Sequence, residues 1–322
     1  MADLEELKKK YKFHEETLSY FKLRAEAGFG SYPNAPSMEA ARNINLQVTQ
    51  KFAGEITFEG STKEFTVPSP YVPDGIPVTV YQSNNCSLVV APSIFVFFHG
   101  GGNVVGSRQT CDVICKLFSR EAPCVVVNVE YRLGPEHRFP ASNQDANSVV
   151  RWVSMNKSLL GGVNDSTIGV GGHSAGGRLA AVVSQQLWDF IDYQVLIYPN
   201  VDYRKLYSSQ KEFEDFPGLS KEMTQWFCNN YIKDCDKETA LASPILNEKF
   251  NQLPPALFIL AEFDVLKDAC YAYHEKLQQA GIRSQVFCVK GVTHGFFHLP
   301  GHFKETCQRA HEKVWKFIKA NS

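Results

Sequence analysis

A serine acts as a nucleophile at neutral pH only beside a base that takes its proton, and that base works best when a third group holds its tautomer. The chain carries Gly172-His173-Ser174-Ala175-Gly176 directly after an apolar run at 168–171 and just before a helix-forming run from Arg178. A serine on so tight a strand-to-helix turn takes a strained backbone conformation. Residues two before and two after it must then lack side chains, a need met by Gly172, Gly176 and Gly177. Ordinary Gly and Ser usage produces this five-residue pattern in roughly one chain in ten of this length, so its surroundings have to decide. Upstream, His99-Gly100-Gly101-Gly102 ends the apolar run 94–98. Three glycines let bare N–H groups point into a site, and the N–H groups of Gly101, Gly102 and Ala175 are the expected oxyanion hole. His99 is read as holding this loop by a side-chain hydrogen bond.

The other members of such a triad follow the serine as acid and then histidine, each in a loop after a later strand. After the run 256–261 stand Glu262, Asp264 and Asp268. Asp268 lies where the next helix starts and suits a first-turn carboxylate. Glu262 abuts the strand, which leaves Asp264 as the acid. After the run 284–289 come His294, His298 and His302. His294 is the first and precedes Gly295, which allows a sharp return, so it is the expected general base. His298 and His302 read as packing or surface residues, and His274 falls midway along a helix.

These motifs together resemble the hormone-sensitive-lipase family of α/β-hydrolases. The resemblance rests on His99 to Gly102, Gly172 to Gly177, the stretch Tyr131-Arg132-Leu133-Gly134-Pro135-Glu136-His137-Arg138-Phe139-Pro140-Ala141, and the blocks Asp264-Val265-Leu266-Lys267-Asp268 and His294-Gly295-Phe296. It runs from about residue 75 to the C-terminus, and the acid block is most similar to arylacetamide-deacetylase-like esterases. The resemblance implies an α/β-hydrolase fold, a mostly parallel central sheet with helices on both faces, and hydrolysis of carboxylic esters through an acyl-enzyme. Three positions depart from the family pattern. His173 stands where an acidic residue is usual, Asn103 where an aromatic or small residue is common, and Glu262 where a small residue is usual. Asn103, His173 and Phe296 are taken as candidates for contact with substrate. An amidase or deacetylase with the same triad, and a receptor of the same fold that binds without turnover, are the competing readings.

The elements around these residues have the alternation that positions such a site. Short apolar runs at 94–98, 124–129, 168–171, 193–198, 256–261 and 284–289 alternate with helical patterns at 109–120, 143–155, 175–187, 267–280 and 303–320, as βαβ units do. Residues 55–81, broken by prolines and glycines, suit antiparallel strands at a sheet edge. Leu4, Leu7 and Tyr11, with Asp3 and Glu6 spaced as a capping pair, predict an opening amphipathic helix, and a second covers 16–27. The interval 202–251 exceeds what a crossover needs and holds Phe213, Phe216, Trp226, Phe227 and Tyr231, which suits a lid over the strand ends. The expected organisation is therefore N-terminal cap helices at 1–50, a catalytic domain from 51–201 and 252–322, and a cap insertion at 202–251. Arg132, Glu136, Arg138 and Asp145 are expected to form ion pairs beneath the site.

Composition narrows the partners. A net charge of −1 gives no global attraction for nucleic acid, and the N-terminus carries charges where a leader or membrane anchor needs an apolar run. Nine cysteines, an odd number with no Cys-x-x-Cys pair, argue against a disulfide framework and point to the cytoplasm. No His/Cys/Asp cluster has zinc spacing, so neither metal nor cofactor is expected, and the partner is a small-molecule ester. If the run 284–289 forms an edge strand, it offers pairing across a homodimer.

Overall fold

Strands with at most one polar residue must be covered on both faces, and the central strands of this chain are built that way. A computed structural model describes residues 4–205 and 207–322, so the expected capping role of Asp3 lies outside the described residues. Among these described residues eight strands form one sheet: β1 (Gly60–Ser69), β2 (Val72–Ser83), β3 (Ile94–Phe98), β4 (Val125–Val129), β5 (Ile168–His173), β6 (Tyr193–Ile197), β7 (Ala256–Phe263) and β8 (Ser284–Thr293). Their spatial order is β1-β2-β4-β3-β5-β6-β7-β8. Only the pairings of β2, with β1 and with β4, are antiparallel. All residues of β3, β4, β5 and β6 are buried.

Among the described residues ten α-helices accompany the strands: α1 (Leu4–Lys10), α2 (Glu15–Glu26), α3 (Met38–Phe52), α4 (Asp112–Glu121), α5 (Ala141–Met155), α6 (Ala175–Gln186), α7 (Ser208–Glu212), α8 (Lys221–Tyr231), α9 (Lys267–Gln279) and α10 (Lys304–Asn321). The period-2 alternation of the strands sorts the core into two layers. Ile94, Val96 and Phe98 pack with Val149 and Val153 of α5, Leu179 of α6 and Tyr273 of α9. Phe95 and Phe97 face the other way, with Phe118 of α4, Val314 of α10 and Phe52 of α3. This is the α/β-hydrolase architecture that the motifs implied.

The N-terminal helices and the segment between β6 and β7 meet each other. Phe13, Phe213, Phe216 and Phe263 form one aromatic cluster, joined by Tyr11. A second cluster sets Tyr32 and Met38 beside Trp226 and Phe227 of α8 and Val104. Glu16 of α2 accepts the N–H groups of Glu305 and Thr306 at the start of α10, a carboxylate at a helix N-terminus. The nine cysteines are all free thiols. Among the described residues no helix is long and apolar enough to cross a membrane.

Candidate active site

Ser174 lies between β5 and α6 at φ 56°, a left-handed conformation that costs a non-glycine residue energy and lifts its side chain clear of the turn. The turn closes only because its neighbours are bare. A β-carbon on Gly176 would stand 2.0 Å from the Phe98 carbonyl oxygen, and one on Gly172 would stand 2.5 Å from the backbone of Gly176. The Ser174 N–H donates to Ile197 O at 2.9 Å, which fixes the elbow against β6.

Two loops bring the remaining groups to this serine. His294 follows β8 and Asp264 follows β7, so the parallel register of these strands sets both at the same sheet end as Ser174. Ser174 Oγ lies 2.9 Å from His294 Nε2, and His294 Nδ1 lies 2.7 Å from Asp264 Oδ2. The other carboxylate oxygen of Asp264 accepts the Leu266 N–H at 2.9 Å, which fixes its rotation. Asp264 is 1% exposed, so the carboxylate works out of water, where its attraction for an imidazolium is strongest. The Tyr198 ring packs 4.5 Å from that of His294. Tyr198 itself has φ 34°, and no sequence signal marked it.

The remaining acids and histidines nearby have other partners. Glu262 binds Lys290 and the Gly291 N–H, and Asp268 accepts the Ser209 N–H. His302 Nε2 donates to Glu16 O, His274 Nδ1 meets Ser284 Oγ, and His298 stacks 4.8 Å from His173. Among the described residues no cluster of three or more His, Cys, Asp or Glu side chains is placed to hold a metal ion.

The glycine loop after β3 bends through positive φ at Gly101 and Gly102, where a β-carbon would strike Val105 O and the Phe227 ring. Among the described residues the N–H groups of Gly101 and Gly102 have no backbone acceptor. Ala175 opens α6, where an N–H has no intrahelical partner and the helix dipole is positive. His99 Nδ1 donates to Gly100 O at 2.8 Å, its ring stacks 4.2 Å from that of Tyr131, and the Tyr131 hydroxyl donates to His99 O. Both sides of the loop's first residues are thereby tied down.

The three side chains considered for substrate contact turn inward instead. His173 Nε2 accepts the Gly100 N–H at 3.1 Å, and burial keeps this imidazole neutral with its pKa well below the usual histidine value. It supports the glycine loop from beneath. Asn103, fully buried, accepts from Arg178 through its side-chain oxygen and donates to Ser142, so its amide is used by the protein. Phe296 is 1% exposed and packs among Tyr198 and Phe303 in the core against α10. Each is apolar or neutral enough to bury, and each finds partners there; sequence spacing alone does not reveal which way a loop side chain turns.

The expected ion pairs also divide. Arg132 binds Asp145 through Nε and Nη2, whereas Glu136 pairs with Arg42 of α3, and Arg42 also donates to Val104 O and Gly134 O. A cavity of about 880 Å³ opens beside that pair, lined by Ser37, Arg42, Gly106, Glu130 and Glu136 and by no member of the Ser174 cluster.

Comparison with known proteins places the chain in a family. A family model described as the alpha/beta hydrolase fold matches residues 95–298. The carboxylic ester hydrolase LipN of Mycobacterium tuberculosis is 36% identical over 65% of this chain, and the match spans 58% of LipN's length. The carboxylesterase NlhH of the same organism is 34% identical over 84% of this chain and 85% of its own. Among solved structures, a hyperthermophilic esterase from the archaeon Pyrobaculum calidifontis superposes with a TM-score of 0.82 at 33% identity, covering 88% of this chain and 94% of that one. An ester-hydrolase from the metagenome of Lake Arreo reaches 0.89 at 28% identity, covering 96% and 99%. The chain therefore belongs to the α/β-hydrolase family, in the hormone-sensitive-lipase group that its motifs resemble.

Proposed function

We propose that this protein is a serine hydrolase that cleaves small to medium carboxylic esters, with Ser174 as nucleophile, His294 as general base and Asp264 as the group that orients it. The observation that carries the reading is the unbroken hydrogen-bond chain from Asp264 through His294 to Ser174. With Nδ1–H given to Asp264, His294 Nε2 is left as an acceptor facing the serine hydroxyl. His294 takes the Ser174 proton as Oγ attacks the ester carbonyl, and Asp264 stabilises the imidazolium without itself being protonated. The N–H groups of Gly101, Gly102 and Ala175 hold the oxyanion of the tetrahedral intermediate. His294 then gives its proton to the departing alcohol, and water repeats the sequence on the acyl-enzyme.

The esterase names of the relatives support an ester as the substrate class. Helices α1 to α3 together with residues 202–251 act as a cap that shapes the acyl site, a role supported by the Phe227 ring lying against Gly102. Nine free thiols suit the reducing cytoplasm. A hydrogen-bonded His294 favours turnover over a binding-only receptor.

The test is hydrolysis of a p-nitrophenyl ester series, with matching p-nitroanilides, by the wild-type chain and by Ser174→Ala. Ester turnover that varies with acyl length and falls by about four orders of magnitude or more in the variant supports the reading. Turnover of anilides alone moves it to an amidase, and no Ser174-dependent turnover of either series defeats it.

A further inference from the structure

Arg178 is fully buried, yet no carboxylate pairs with it among the described residues. Its Nη1 donates to Leu241 O at 3.0 Å. Its Nη2 donates to the Tyr231 hydroxyl at 2.7 Å, to Asn143 Oδ1 at 3.2 Å and to Asn103 Oδ1 at 3.3 Å, and Nε has no partner. The Tyr203 and Tyr231 rings face the guanidinium at 5.9 and 5.4 Å. Every group around this cation is neutral. The buried acids Asp145 and Asp202 are engaged by Arg132 and Arg204.

Such an arrangement is costly in three ways. A guanidinium stays protonated at any pH the fold survives, so it cannot escape burial by losing charge. A buried charge without an opposite charge carries its full desolvation cost, offset here only by neutral acceptors and ring faces. Arg178 also stands in the first turn of α6, where the helix dipole already supplies positive potential and disfavours a further cation. Stability alone does not select a lone cation at this position; placement near a site that must hold negative charge does.

The neighbours say which site. Arg178 is four residues after Ser174 and donates its backbone N–H to Ser174 O. Asn103, which accepts from the guanidinium, directly follows Gly102 and has φ 60°. The same guanidinium reaches the start of α5 through Asn143 and the end of α8 through Tyr231, so one side chain joins the nucleophile helix, the glycine loop and the segment over it.

We propose that Arg178 is a positioning residue of the oxyanion hole: through Asn103 it fixes the loop that follows Gly102, and its uncompensated charge raises the positive potential where the oxyanion forms. The proposal rests on the serine-hydrolase reading given above. A charge acting through a dipole and a loop supplies less than a direct donor, whose loss costs about 10²–10³ in kcat, so an effect of about tenfold is expected.

The test compares wild type, Arg178→Gln and Arg178→Lys for kcat, KM and inhibition by a trifluoromethyl ketone, whose adduct with Ser174 carries the oxyanion charge. Arg178→Gln is expected to lose about tenfold or more in kcat with KM within about twofold, and to bind the ketone more weakly in the same proportion. Arg178→Lys, whose buried amine sheds its proton far more readily than a guanidinium and makes fewer of the four hydrogen bonds, is expected to fall short of wild type in both. A folded Arg178→Gln protein with wild-type kcat and ketone affinity overturns the proposal. Should Arg178→Gln not fold, Asn103→Gly carries the test, because glycine accepts φ 60° and only the bridging amide is lost; unchanged kcat and ketone affinity there overturn it equally. Wild-type protein without Ser174-dependent turnover removes the hydrolase reading first. Normal wild-type turnover with an unaffected Gln variant removes the Arg178 assignment alone.

Discussion

Substituting Gly176 by alanine probes the elbow at the point of closest approach. The new methyl group would stand 2.0 Å from Phe98 O and 2.4 Å from His99 O. Ordinary contact needs about 3.5 Å, so the start of α6 and the end of β3 must separate by more than about 1 Å. Both clashing atoms are backbone, with no flexible side chain to yield. Catalytic constellations tolerate displacements of about 0.5 Å, and about 1 Å of misplacement costs on the order of 10² in rate. The overpacking also costs about 3 kcal/mol, the upper end of the usual range. With about 2.1 cal/mol/K of unfolding entropy per residue over 322 residues, that lowers Tm by about 4 °C. The assay pairs kcat/KM on a p-nitrophenyl ester with a thermal melt. Gly30→Ala is the control, since its β-carbon meets nothing nearer than Ile44 Cδ1 at 3.9 Å. Wild-type kcat/KM and Tm in Gly176→Ala would refute the claim that this contact sets the position of Ser174.

Two further outcomes follow from named contacts. Asp264→Asn keeps the shape of the acid but presents a donor to His294 Nδ1, so kcat should fall by about 10⁴ with KM little changed, which steady-state kinetics checks. Burial holds His311 at about 4, below an unfolded value of about 6.5, so the unfolded chain binds more protons between those pH values. Its contribution is complete above about pH 6.5 and is lost as pH falls toward 4, and the loss at pH 5 is about 2 kcal/mol. Urea unfolding at pH 7.5 and 5.0 should show this loss, and His311→Gln should reduce it; an unchanged pH dependence in the variant contradicts the assignment.

What the sequence made legible was whatever local pattern encodes. Runs with at most one polar residue became β3, β4 and β6 because a doubly covered parallel strand buries both faces, and the two polar exceptions, Asn128 and Gln194, donate to Arg108 O and Pro254 O. The elbow glycines were legible because a tight turn excludes side chains on each side of it. Helix α3 was not separately marked, since its polar-rich run Met38–Phe52 owes its place to Phe52 and Val48 packing on the distant α10 layer. Arg178 gave no signal because its partners lie 35, 53, 63 and 75 residues away. Asn103, His173 and Phe296 looked available for substrate, yet loop direction depends on which buried groups need a partner. The Gly100 N–H and the Arg178 guanidinium supplied that need for His173 and Asn103.

The most direct measurement is covalent labelling of the wild-type chain with a p-nitrophenyl phosphonate, followed by peptide mass spectrometry. One phosphonyl group per chain is expected, on Ser174, appearing in step with the loss of ester hydrolysis and absent from Ser174→Ala. An adduct on any other residue, or hydrolysis that persists with Ser174 blocked, would contradict it.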